Sequence, residues 1–210
     1  MSKVLYIQAS PRTERSWSRS VADAFISTYN EDHPNDIVET IDLFDANLPT
    51  FGEAAAQGKD NIMHGHENTP EDKAAWDAVE SVIEEFNSAD KYVFAVPMWN
   101  FGVPYILKQY IDLIMQPTYT FSFSRDEGYQ GLVKGKPVLG VYARGGEYGE
   151  GVLAGSMDFQ KRYLETIFQF LGFTDIRSIV VEPTLQGGPE VATAQKEKAI
   201  THVREMALSF

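Results

Sequence analysis

The sequence predicts one α/β domain, a doubly wound five-stranded parallel sheet in the order 2-1-3-4-5, and three observations carry that expectation. Short β-rich apolar runs alternate with amphipathic stretches at the spacing of βαβ units. No fixed-period repeat or low-complexity tract breaks the alternation. Five strands joined by right-handed crossovers leave few topologies, of which this one is the most common. At 210 residues and 43% hydrophobic content, a single core can account for residues 1–210.

Residues 3–8 (KVLYIQ) form the first strand, followed by a Ser-rich loop and a helix that carries Val21, Ala24, Phe25 and Thr28 at helical spacing. Residues 37–42 (IVETID) form the second strand. The polar stretch 43–69 exceeds an ordinary connector and reads as a functional loop or lid. Pro70 opens a helix through Trp76, Val79, Val82, Ile83 and Phe86. Residues 91–96 (KYVFAV) are the most continuously apolar strand, hence central. Helices are expected over 104–115 and 158–171, strands over 137–142 and 175–181, and a last helix from Pro189.

Composition narrows the function. A net charge of −12 with no offsetting Lys/Arg cluster repels a phosphate backbone, so nucleic acid is not an expected partner. The absence of cysteine removes disulfides, zinc–thiolate sites, iron–sulfur clusters and thiol redox chemistry, so a redox role requires a bound organic cofactor. Met1 leads directly into a strand without a basic leader, and no 18-residue apolar run occurs; a cytoplasmic, membrane-free protein is expected.

In a doubly wound sheet the carboxyl ends of the strands share one edge, so the loops after strands one, three and four meet at the switch point where ligands bind. All three have unusual sequences. The first, residues 9–18 (ASPRTERSWS), places Ser10, Ser16, Trp17 and Ser18 at a helix start, where free N–H groups and hydroxyls can seat an anion, although Ser there also serves as an ordinary N-cap. It lacks both GxxxxGK[ST] and GxGxxG, which favours a terminal monophosphate over a pyrophosphate. The second, Pro97, Met98, Trp99, Asn100 and Phe101 followed by Gly102, Val103 and Pro104, displays aromatics at a turn against which a planar heterocycle can lie. The third, residues 143–151 with Ala143, Arg144, Gly145, Gly146 and, near its end, Glu150, admits close backbone approach because glycine has no side chain. Phosphate seat, aromatic wall and amide edge together describe a flavin mononucleotide (FMN) site.

The xSPR–SxS, PMWNFxxP and RGG motifs resemble, over nearly the whole chain, the FMN-dependent NADH azoreductase and quinone reductase family. The resemblance implies a flavodoxin-like fold, a homodimer, and ping-pong reduction of quinones and aromatic azo compounds by NADH or NADPH, with the chemistry on FMN N5 and no catalytic side chain or metal. It further implies that Ser10, Ser16, Ser18 and the Trp17 amide hold the phosphate. Pro97 belongs to the loop from which Met98, Trp99, Asn100 and Phe101 line the isoalloxazine, while Ala143, Arg144, Gly145 and Gly146 meet its pyrimidine edge. Tyr119, Phe121 and Phe123 would supply aromatic groups at a dimer cleft. Many members carry Tyr where Trp99 stands, and residues 117–123 align least well, which puts substrate preference in question.

Two rivals share the fold: a one-electron flavodoxin-type carrier, and a regulator that has lost the cofactor. The T/S-x-T-G-x-T phosphate loop of flavodoxins is absent here. His64, His66 and Glu67 lack further ligands at a metal spacing and read as a solvated lid. Arg144 either pairs a substrate anion or a neighbouring carboxylate; Arg12 and Arg15 assist the phosphate or face water. Arg15, Arg125 and Arg162 are the candidates for a 2′-phosphate contact.

Overall fold

The computed structural model describes residues 1–149 and 151–210. Its elements run β1 (Lys3–Gln8), α1 (Trp17–Asp32), β2 (Ile37–Asp42), α2 (Glu53–His64), α3 (Pro70–Asn87), β3 (Lys91–Pro97), α4 (Tyr105–Ile114), β4 (Phe121–Ser124), β5 (Gly128–Gly131), β6 (Pro137–Ala143), α5 (Lys161–Leu171), β7 (Asp175–Val181) and α6 (Gly188–Ala207). A 3₁₀ turn at Leu153–Met157 precedes α5. The main sheet is parallel, ordered β2-β1-β3-β6-β7. With the β4–β5 hairpin set aside, this is the expected 2-1-3-4-5.

The strand period of two divides the core. Val4, Tyr6, Val93, Ala95, Leu139 and Val141 point to the face covered by α1 and α6, where Phe25 and Val203 meet them. Leu5, Ile7, Tyr92, Phe94 and Val96 point to the opposite face and pack on Leu107, Tyr110 and Phe168 of α4 and α5. Burial on both faces makes β3 a continuous apolar run. On β6 the Tyr142 ring lies back over Gly140, where an added Cβ would stand 2.2 Å from the Tyr142 hydroxyl oxygen.

The structure corrects the sequence at two places. Residues 43–69 are not one long loop: α2 occupies their middle and packs on α3 through buried Ala55 and Gly58. Gly58 reads as a loop signal but serves close helix contact, since a Cβ there would come within 2.6 Å of the Asp72 carbonyl oxygen. His64 and His66 sit at the end of this helix, exposed. The β4–β5 hairpin lies outside the five expected strands, since FSFS and GYQG are too short to display a period, although hairpin packing is the ordinary reading of Tyr119, Phe121, Phe123 and Tyr129. It packs beside the carboxyl end of α5, where the Val133 N–H donates to Leu171. A crossover helix runs back across the sheet, so this is the edge opposite the strands' carboxyl ends. Among the described residues, no helix is long and apolar enough to cross a membrane.

Candidate functional site

The loops after β1, β3 and β6 converge on a cleft of about 410 Å³ at the carboxyl edge of the sheet, lined by Ser10, Pro11, Arg12, Arg15, Ser16, Trp17, Ser18, Pro97, Met98, Trp99, Ala143 and Gly145. Thr184 and Leu185 complete it. These two follow β7, so the switch-point geometry extends beyond the three expected loops to that of the fifth strand.

Ser16 caps α1: its backbone is extended and its hydroxyl accepts from the Arg19 N–H at 3.3 Å. That leaves the N–H groups of Trp17 and Ser18 without an acceptor among the described residues, as the first turn of a helix requires. Around them the Ser10, Ser16 and Ser18 side chains are almost fully buried, with the Ser16 and Ser18 hydroxyls 3.3 Å apart. Ser10 accepts from the Arg12 N–H at 3.3 Å. From behind, Arg19 pairs with Asp42 at 2.7 Å, so this cation braces the loop without facing the cleft. The capping role and the anion seat therefore coexist in one segment.

In the second loop Trp99 and Gly102 exchange backbone hydrogen bonds of 3.0 and 2.9 Å around a two-residue turn. Both central residues are left-handed, Asn100 at φ 46° and Phe101 at φ 68°. Asn tolerates this region and Phe does not, so Phe101 carries strain of about 1–2 kcal/mol. Strain of this kind concentrates where a side chain must be displayed. Trp99 and Phe101 remain substantially exposed. Phe101 stands 6.2 Å from the Tyr148 ring. Asn100 and Phe101 do not line the cleft that holds Trp99, and Asn100 faces an adjoining groove instead.

In the third loop the Gly145 carbonyl accepts from the Leu185 and Gln186 N–H groups, each at 3.0 Å. The Gly145 and Gly146 N–H groups have no acceptor among the described residues. Gly146 is not among the cleft-lining residues. The Arg144 side chain turns inward: Nη2 donates to Asp158 at 2.7 Å, Nη1 to Glu182 at 3.3 Å and Nε to Gln160 at 3.1 Å. It is buried and committed to carboxylates of its own chain, so its guanidinium meets no ligand in the cleft. Asp158 also accepts from the Gln160 and Lys161 N–H groups at the start of α5. Nothing in the spacing of Asp158, Gln160 and Glu182 marks them beforehand. Glu150 of this loop lies outside the described residues.

Within one chain, Tyr119, Phe121 and Phe123 stand away from the cleft. The Tyr119 hydroxyl donates to Glu80 and its ring meets Trp76, and burial together with this bond pushes its pKa up to about 12. Phe121 and Phe123 cluster with Tyr129 on the hairpin and with Phe170 of α5. Among the described residues, no group of three His, Cys, Asp or Glu could hold a metal ion.

The donors fit FMN on two grounds. Almost fully buried hydroxyls and unpartnered helix N–H groups suit a phosphate, and the glycine amides beyond Ala143 suit the electron-rich edge of a heterocycle. A doubly wound sheet with its ligand cleft at the switch point defines a protein of the flavodoxin-like class. A family model for the flavodoxin-like fold matches residues 2–206, and the chain belongs to that family. The FMN-dependent NADH:quinone oxidoreductase of Nitratidesulfovibrio vulgaris (strain DP4) is 53% identical over 210 residues, covering 100% of both chains. Azoreductase from Bacillus anthracis str. Sterne matches with a TM-score of 0.93 and 31% identity over 100% of both chains. An FMN-dependent NADH-azoreductase from Bacillus anthracis str. Ames Ancestor, solved in complex with FMN, matches with a TM-score of 0.88 and 29% identity, over 99% of this chain and 100% of that one.

Proposed function

We propose that this protein is a cytoplasmic, homodimeric FMN-dependent oxidoreductase that uses NADH to reduce quinones and aromatic azo compounds in a ping-pong cycle. One observation carries the reading: the unpartnered N–H groups of Trp17 and Ser18, with three buried serine hydroxyls, lie in the cleft that Met98, Trp99 and Gly145 also line. The names of the full-length relatives support it.

Bound FMN supplies the capacity to take up a hydride from a nicotinamide and pass two electrons to an acceptor. The protein binds and orients. Ser10, Ser16, Ser18 and the Trp17 N–H hold the phosphate, where the helix start compensates its charge. Met98 and Trp99, which line the cleft, would lie against the ring system, and the Asn100–Phe101 turn would hold Trp99 in place. Gly145, whose N–H is unpartnered in the cleft, would stabilise negative charge at its pyrimidine edge, with Gly146 following it, while Ala143 and Arg144 fix the loop by their backbone. The sequence has no GxGxxG segment for a separate dinucleotide site, which favours donor and acceptor taking turns in one place. A second copy would bring the exposed Phe123, with Phe121 and Tyr119 behind it, to the cleft of its partner.

Titration of the flavin-free protein with FMN, then anaerobic addition of NADH and a quinone, tests the reading. NADH alone should bleach the bound flavin and the quinone should restore it. Failure to bind FMN would end the proposal, and flavin that stays oxidised without a separate reductase would return the electron-carrier alternative. Double-reciprocal plots at several NADH concentrations should be parallel; intersecting lines would remove the ping-pong order alone. NADPH matching NADH as donor would remove the donor preference.

A further inference from the structure

Residues 182–187 (EPTLQG) leave β7 and run beside the glycine loop that follows β6. Glycine has no side chain with which to hold its own conformation, so the Gly145 N–H keeps one direction only if neighbouring groups fix it. The end of β7 grips Arg144 twice. Glu182 accepts from the Arg144 guanidinium at 3.3 Å and from the Tyr148 N–H at 3.0 Å. Two residues on, the Arg144 carbonyl accepts from both the Thr184 N–H and the Thr184 hydroxyl, each at 2.9 Å. The next carbonyl, that of Gly145, is held by the Leu185 and Gln186 N–H groups of the same segment.

Peptide planarity turns these bonds into a direction. The Arg144–Gly145 bond is trans, so its C=O and N–H point opposite ways. With the carbonyl bound to Thr184, the Gly145 N–H faces away from that residue and has no acceptor among the described residues. Turning this peptide over would break both Thr184 bonds. Thr184 lines the cleft, yet its hydroxyl has a single proton, already given to the Arg144 carbonyl. We propose that Thr184 is a positioning residue: by holding the Arg144 carbonyl it keeps the Gly145 N–H aimed at the pyrimidine edge of FMN, and so favours the reduced flavin over the oxidised one. A hydrogen bond to a charged acceptor is about twice as strong as one to a neutral acceptor, so a fixed N–H stabilises the two redox states unequally. This rests on the oxidoreductase reading above.

Thr184→Val keeps the branched shape and removes the hydroxyl, whereas Thr184→Ser keeps the hydroxyl and removes the methyl. The test titrates flavin-free wild type and each variant with oxidised FMN, then reads the potential of the bound flavin anaerobically against a reference dye. Thr184→Val should bind oxidised FMN within about twofold of wild type and reduced FMN about fivefold more weakly, which lowers the two-electron potential by about 20 mV. Thr184→Ser should match wild type, and Thr184→Ala, which loses both groups, should reproduce the shift of Thr184→Val. Equal weakening of the two redox forms leaves the potential unchanged and would overturn the proposal, since Thr184 would then only shape the cleft. So would a Thr184→Ser protein that shifts as far as Thr184→Val, because the methyl and not the hydroxyl would be responsible. Wild-type protein that binds FMN but is not reduced by NADH would instead sink the oxidoreductase reading, while the dye-measured shift would still report on Thr184. Wild-type protein that binds no FMN would end both.

Discussion

The Gln160 side chain joins two loops of the cleft: Nε2 donates to the Val96 carbonyl at 2.9 Å, and Oε1 accepts from Arg144 Nε at 3.1 Å. Next to it, the Phe159 N–H donates to the Phe101 carbonyl at 3.0 Å. Asp158, Phe159 and Gln160 thus strap the strained turn after β3 to the glycine loop after β6. Gln160→Leu keeps the bulk, removes a second hydrogen bond from the Val96 carbonyl, which its strand pairing with β6 still satisfies, and leaves the Arg144 Nε–H unpaired in the interior. The expected loss is about 1–3 kcal/mol in urea unfolding, from one desolvated donor without a partner. An unchanged midpoint would show that the strap contributes nothing.

Phe101→Gly should behave unlike a core truncation. Glycine adopts the left-handed turn freely, so relief of strain offsets lost contacts and added chain entropy, and stability should stay within about 1 kcal/mol of wild type. A buried Phe replaced by a small residue would cost about 3–5 kcal/mol. Guanidinium melts separate the two, and FMN titration of the same variant should show weakened binding.

Asp36 links the chain's start to α1. Tyr29 Oη and the Ser2 N–H each donate to its carboxylate at 2.6 Å, and these bonds, the first foremost, hold the carboxyl below the usual carboxylate range. Its contribution is therefore present above the unfolded value near pH ~4 and disappears as pH falls through the lower folded value. Asp36→Asn should lower Tm by a constant amount from pH 7 to about pH 5, and the gap to wild type should close on further acidification. A gap that widens in acid would reverse the assignment.

Gly58→Ala should destabilise α2 despite alanine's higher helix propensity. The new methyl would meet the Asp72 carbonyl at 2.6 Å and Trp76 Cβ at 3.0 Å, and overpacking costs about 1–3 kcal/mol. Thermal melts read the sign directly, and a raised Tm would mean that α2 and α3 separate without cost.

What could be read from the sequence follows how local the signal is. Strand order came from alternation and crossover handedness, both of which act over tens of residues. The serine loop, the Trp99 turn and the Gly145 region stood out because each breaks a local rule: hydroxyls at a helix start, aromatics in a turn, consecutive glycines. Helix α2 escaped notice because Gly58, a breaker in isolation, is required by a contact with α3 that no local window contains. Arg144 looked free for a ligand because its carboxylate partners lie 14 and 38 residues away. Tyr119 likewise looked available, while Glu80, its acceptor, is 39 residues upstream.

The ring of Tyr142 folded over Gly140 has a consequence for how β6 can vary. The backbone at 140 is fully occupied by a side chain two positions ahead, so neither residue can be judged alone. Any side chain at 140 expels the tyrosine, while a smaller residue at 142 opens room at 140. A change that is harmful on one background becomes tolerable on the other, and the order in which the two substitutions arise decides whether the strand survives both.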